Sequence, residues 1–581
     1  MTRLLPARPP RRPIPRAACA MRAVRIGVLA ALLAWTCGCD RPVAEPRRMD
    51  ARKLPASDVN LTPRALVRDG GTLRWPVPEF PTQWNFYHVN GTKSVVSDVV
   101  QGLLPHVMRV DEKAVPRPVP EYVESAKVTW EGSEQVVTYR INPKARWSDG
   151  RPITYRDFAA QARALSGHDR RYQAAVTTGY RYIRRVERGS DDREAVVRFA
   201  KPFADWKALF SPLYPASTMA DPEAFGAAWQ GRMGPTAGPF RVAKIDRTAK
   251  TVTVVRDPKW WGRPAKLDRI VYRAMDAAAM PGAFANGEID LMDINVDAGA
   301  LRRAADVPNA DIRRAGGPDW RQFTLNAASP LLADVRVRRA VLLGIDRDAL
   351  ARAALGELGW PAQTLGNHFF MNTQEGYQDN SGELGRYDPA AAERLLDEAG
   401  WRRQGKYRVK DGRTLALRFV VPAGMPGSRQ EGELTRAMLA RIGIRVDVWP
   451  VPVDDLFDQY VTPGNFDIVP FSWLGTAFPM SALRSVFSTP KGDRIQQNYA
   501  RLGTPDIDAL LDKAAHEVDQ DRARRLINEA DRLIWRLATV LPLYQRPQIV
   551  AIRSDLANFG ALGFYEPPYE DIGFTGRGDG P

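Results

Sequence analysis

Cysteine is almost absent from this chain. Three occur, at positions 19, 37 and 39, and none follows residue 39 of 581. The body of the protein therefore has no disulfide framework, thiolate zinc site, iron–sulfur cluster or catalytic cysteine. Histidine is also scarce: His88, His106, His168, His368 and His516 are the full set. No two have metal-ligand spacing on one helix face, and no HExxH motif occurs. The GxSxG elbow of serine hydrolases is missing too. No run of five Lys or Arg appears, so a nucleic-acid footprint is unsupported.

What is present is ordinary globular composition: 44% apolar, 26% charged and 9% aromatic. The length gives a soft prior of about three to four domains. The net charge is +16, but residues 1–38 hold seven Arg and no acid, so the remaining chain carries a modest +9.

The front end reads as an address. Arg22 and Arg25 precede a short apolar run, 26–36, of signal-peptide length. A membrane-crossing helix needs roughly 18 or more apolar residues, so this run is too short to be one. It ends in Thr36-Cys37-Gly38-Cys39. A small residue before a cysteine at this point reads as a lipoprotein cleavage box, with Cys39 carrying the lipid. The alternative is a plain secretory signal that leaves Cys39 an idle thiol. Residues 1–38 are thus expected as a signal peptide, with 1–20 a candidate upstream mis-start. Residues 39–65 are expected as a flexible tether.

Periodicity marks the elements that follow. Residues 72–77, TLRWPV, alternate as a strand, and Pro76 places it at a sheet edge or a strand end. A polar-aromatic loop, 78–91, leads into a helical pattern at 94–104. Strands are expected at 135–141, 180–185 and 195–200. Thr154 with Asp157 forms a capping box for a helix over 154–165. Residues 240–256 read as a hairpin. After Phe323 the pattern turns to α/β, with Asp334 capping one helix and Asp388-Pro389 starting another. Strand 414–421, helix 429–441 and strand 444–451 make a βαβ unit. A strand at 467–471 then runs into the loop from Ser472 to Pro479. Both aromatic-polar loops follow the carboxyl ends of strands, where open α/β sheets bind ligands.

Eight stretches, in order, carry a resemblance. They include GTLRW, RWSDGRPITYRDF (146–158), RDPKWWGRPAKLDRIVYR (256–273), NGEIDL (286–291), LNAASPLLADVRVRRAVLLGIDRDAL (325–350), YDPAAAERLLDEAGW (387–401) and FDIVPFSW (466–473). Across roughly 66–560 the chain resembles the extracellular solute-binding proteins of family 5, the oligopeptide, dipeptide and nickel receptors of ABC importers. The resemblance implies an α/β, two-lobed periplasmic-binding-protein-like clamshell of the cluster C type with an extra small α+β domain. Lobe I would comprise 66–108, 236–322 and 546–581, domain II 109–235 and lobe III 323–545. Chain crossings near 323–326 and 541–548 would form the hinge.

The implied function is capture of a peptide or peptide-like solute between lobes I and III and delivery to a membrane permease with its ATPase. The receptor is expected as a monomer, outside the cytoplasm, lipid-anchored to the cell membrane or periplasmic, with no enzymatic activity, cofactor or metal. A sensor or envelope lipoprotein on the same clamshell is the alternative, and a surface hydrolase a remote third. The resemblance assigns His88, Val89 and Asn90 to the lobe I wall, Tyr172 to a lid from domain II, and Ser472, Trp473 and Leu474 to the lobe III wall. The competing readings are an exposed loop for 88–90, a surface Tyr172 and a core Trp473. Thr476 stands where the family's oligopeptide binders carry an Asp that pairs with the ligand's α-ammonium. A hydroxyl brings no charge, and an ammonium closed into a dry cleft without one costs more than a neutral hydrogen bond returns. Either another acid supplies the charge, with Glu79 the candidate, or the ligand lacks a free N-terminus there. Weak binding of generic free-amine di- and tripeptides is the resulting expectation.

Overall fold

The computed structural model describes residues 54–576 apart from Asp493. Cys39, the signal segment and the start of the tether lie outside the described residues. Among the described residues no helix is long and apolar enough to cross a membrane.

Three sheets organise the chain. The first has four strands, in the order Thr72–Val77, Arg269–Ala274, Thr251–Arg256 and Phe240–Asp246. Thr72–Val77 runs parallel to Arg269–Ala274 and forms an edge, where Pro76 removes no ladder donor that a second neighbour would need. The second sheet is antiparallel: Val123–Glu131, Glu134–Ile141, Glu194–Phe199 and Ile183–Arg188. Both contribute to one apolar core, in which Leu73, Trp75 and Phe240 are continuous with Tyr139, Phe158 and Trp206. The helix Tyr155–Ala164 has the capping box expected from Thr154 and Asp157, and Asp157 also accepts from the Trp147 indole at 3.2 Å.

The third sheet has six strands: Leu291–Asp293, Val540–Arg553, Ala310–Leu325, Ile468–Leu474, Ala416–Pro422 and Arg445–Val451. Its second core gathers Phe323, Phe419, Leu439 and Ile468. The segment 280–307, expected with lobe I, sends Met280, Phe284 and Leu301 into this second core. Parallel pairing of Ala416–Pro422 with Arg445–Val451 across the helix Pro426–Arg441 is the βαβ unit read from the pattern.

Two long strands join the halves. Ala310–Leu325 and Val540–Arg553 pair antiparallel at both ends, but their register shifts between Gly316 and Trp320 and again between Arg321 and Gln322. The first shift lies closer to the amino end than the crossing expected at 323–326. A bulge there inserts residues without partners and increases the local twist. Gly317 fits because a Cβ on it would sit 2.9 Å from the Arg546 carbonyl oxygen.

Candidate functional site

The strand from Ile468 continues through Trp473 to Leu474, three residues beyond the end read from the sequence. Its pairing explains the extension: Ser472, Trp473 and Leu474 lie opposite Arg321, Trp320 and Asp319. Directly opposed residues share a face of the sheet, so Ser472 and Leu474 lie on the face of Arg321, and Trp473 on the other. Trp473 stacks on Tyr499 at 5.9 Å and meets Phe471 edge-on at 5.3 Å. It is half-buried, while Leu474 is 65% exposed. The Ser472 hydroxyl is buried and without a hydrogen-bond partner among the described residues.

On the Arg321 face lies a cavity of about 690 Å³. Its walls come from Val296 and Asp297 on one side and from Met425 to Glu431 on the other, with Arg321, Tyr544 and Arg546 along the shared strands. Arg321 is committed: its Nε donates to Glu431 Oε1 at 2.9 Å and its Nη2 to Ser428 Oγ at 2.8 Å. Burial, reinforced by Glu431, pushes the Tyr544 phenol above its ordinary value, so it stays neutral. Arg546 instead faces Asp319 across 3.9 Å.

Three carboxyls cluster electrostatically in this region. Burial raises Asp98 to about 7, and Asp293 adds to the rise. Burial also raises Asp293, with Asp319 adding to it, and raises Asp319 itself against the pull of Arg546. Yet Asp293 is exposed to water and Asp98 partly so.

The other expected site residues fall elsewhere. His88 is buried; its Nδ1 accepts from the Asn90 amide at 3.1 Å, and burial lowers its pKa. Val89 donates its amide to Gln173 O at 3.0 Å and leaves its side chain 52% exposed. Asn90 is exposed. Tyr172 is not a surface residue: it is 5% exposed, its ring meets Phe225 edge-on, and its hydroxyl donates to Ala220 O at 3.3 Å. That leaves little of it to close over a ligand. Thr476 Oγ1 accepts from the Phe478 amide at 2.8 Å, at the start of the helix Pro479–Phe487. Glu79 is ion-paired with Lys93 and lines a different hollow, of about 720 Å³, with Phe80, Trp84 and Arg247. Its carboxylate has a counter-charge in Lys93, and both side chains are partly exposed. Among the described residues no hydrogen bond joins 88–90 to 472–476, and no group of three or more His, Cys, Asp or Glu could hold a metal.

The reading from sequence missed Arg321, Ser428, Glu431, Asp319 and Arg546. One signal was available: Ser428, Glu431 and Thr435 recur at helical spacing and are all buried in the helix Pro426–Arg441, a polar stripe on an inward face.

Comparison with known proteins agrees with this architecture. The family model for bacterial extracellular solute-binding proteins, family 5, matches residues 117–494. The oligopeptide-binding protein OppA of Mycobacterium tuberculosis is 41% identical over 525 residues, covering 90% of this chain and 88% of that protein. A shorter match, 32% over 246 residues, covers 41% of this chain and 37% of a probable monoacyl phosphatidylinositol tetramannoside-binding protein, LpqW, of the same species. Among solved structures, the periplasmic EDTA-binding protein EppA superposes with a TM-score of 0.80 at 25% identity, over 90% of this chain and 99% of that one. The oligopeptide-binding protein AppA of Bacillus subtilis, in complex with a nonapeptide, gives 0.67 at 18%, over 87% and 99%, a likeness of fold alone. The two-lobed α/β architecture and these matches together assign the chain: it belongs to the bacterial extracellular solute-binding proteins of family 5.

Proposed function

We propose that this chain is the extracytoplasmic substrate-binding component of an ABC importer. It takes a peptide or peptide-like solute between its lobes and hands it, chemically unchanged, to a membrane permease. The observation that carries the reading is 41% identity over 90% of the chain to a protein named for oligopeptide binding. The cavity of about 690 Å³, within the usual range for ligand sites, supports it. In this reading lobe I comprises 66–108, 236–322 and 546–581, domain II 109–235 and lobe III 323–545. Ser472 and Leu474 offer backbone groups, and Val89 and Asn90 their carbonyl oxygens, to an extended ligand by strand addition. Trp473 walls the site, His88 holds the facing loop, and Tyr172 braces domain II behind it. The protein works as a monomer, held to the cell membrane through a lipid on Cys39.

Native mass spectrometry of protein purified without refolding tests the reading. Retained peptides, unaltered after long incubation, are the expected result. A retained non-peptide ligand, or turnover that survives further purification, overturns it. Hinge closure on peptide should also register as compaction in small-angle scattering.

A further inference from the structure

The cavity of about 690 Å³ has an apolar side between two helices. The helix Arg347–Leu355 and the turn after it contribute Leu350, Ala353, Ala354 and Leu358, spaced as one helix face. Two of these four are alanines, so this wall stands back and leaves room. The helix Pro426–Arg441 contributes Leu434 from across the space. Val296 and Met425 come from opposite walls and are 41% and 50% exposed, an unusual setting for large apolar side chains on both sides of one cavity.

The charges around this space are already matched. Arg321 is bound to Glu431, and Arg546 faces Asp319. Glu357 pairs with Arg302 at 3.3 Å, and Asp297 accepts from the Ala300 amide at 2.9 Å. Each charged residue lining the cavity thus has a partner within the protein. A charged group that enters gives up water and meets no unmatched counter-charge. An apolar group that enters gains by leaving water, and draws Val296 and Met425 out of water with it.

We propose that this cavity receives an apolar side chain of the bound peptide, in the size range of Leu, Met and Phe, and discriminates against charged ones. This rests on the peptide reading above and goes further by naming which side chains the receptor selects. An extended ligand directs alternate side chains to opposite faces. Ser472 and Leu474 share the face of Arg321, and the cavity lies on that face. A ligand aligned on them therefore turns one side chain in two towards the apolar wall.

The test offers the protein a random-sequence pentapeptide library and reads the retained peptides by tandem mass spectrometry. Wild type should enrich Leu, Met and Phe over Asp, Glu and Lys by about tenfold at one position at least, the scale of partly burying one such side chain. Met425→Glu should bring that ratio close to one, and Met425→Leu should preserve it. Ala353→Trp fills the space and should shift the selected residue towards Ala and Val. Val296→Glu reads the same ratio if Met425→Glu does not fold. Retained peptides without apolar enrichment at any position, or an enrichment that either folded Glu variant or Ala353→Trp leaves unchanged, overturn the assignment while leaving peptide binding intact. Retention of no peptide by wild type overturns the peptide reading itself, and this inference with it.

Discussion

Arg321 and Arg546 lie on adjacent strands of one sheet and line one cavity, yet they use their charges differently. Arg321 is 14% exposed and locked onto Glu431, itself 8% exposed, with Ser428 completing the site. Arg546 faces its carboxylate at 3.9 Å with more than a quarter of its side chain in water. The first pair has exchanged solvent for fixed partners. The second has kept its partners open. A charge inside a cleft is therefore not a binding feature by its presence alone; what matters is whether its hydrogen bonds are already made.

The largest effect comes from breaking the closed pair. Glu431→Ala leaves the Arg321 guanidinium buried and uncompensated, and should destabilise the protein by about 3–5 kcal/mol in urea unfolding. A loss under about 1 kcal/mol would mean that the two arginines do not differ as described.

A pH series then probes Asp98. The Asp98 carboxyl is raised to about 7, with burial the main cause and Asp293 the second. A raised folded-state pKa gives stability that is complete below the unfolded value near 4 and is lost as pH rises through about 7. Stability should therefore fall between pH 4 and 7 by at most about 4 kcal/mol from this group, less whatever water screens at this partly exposed carboxyl. Asp98→Asn should flatten that slope, read as denaturation midpoints across the range. An unchanged slope would mean that the fold does not raise the Asp98 carboxyl.

The smallest effect sharpens the contrast most. Asp319→Asn breaks an open pair and should change stability by no more than about 0.5 kcal/mol. A loss comparable to that of Glu431→Ala would make Asp319 a structural residue.

Much of the frame was legible in the residues. Thr154, Asp334 and Asp388 each cap the helix expected of them, because a side-chain oxygen answering an orphan amide is a local event. Pro76 marked an edge strand for an equally local reason. The site was less legible. Trp473 and Leu474 read as loop because Gly475 and Pro479 follow closely; only pairing with Trp320 and Asp319 draws them into the sheet. Tyr172 read as a lid or else a surface residue, and only the packing of Phe225 against it shows it buried. Asp319 and Arg546 are more than 200 positions apart, and no spacing rule joins residues that meet only through a bulge.

The strand Val540–Arg553 has a consequence for the order in which the molecule is made. It sits between Leu291–Asp293 and Ala310–Leu325 in the six-stranded sheet. More than nine-tenths of the chain must therefore leave the ribosome before this sheet can close. Pairings of such long sequence separation form late, after a large loop-closure cost. A chain read as exported would remain threadable through most of its synthesis and gain its final form only after its last segment had crossed the membrane.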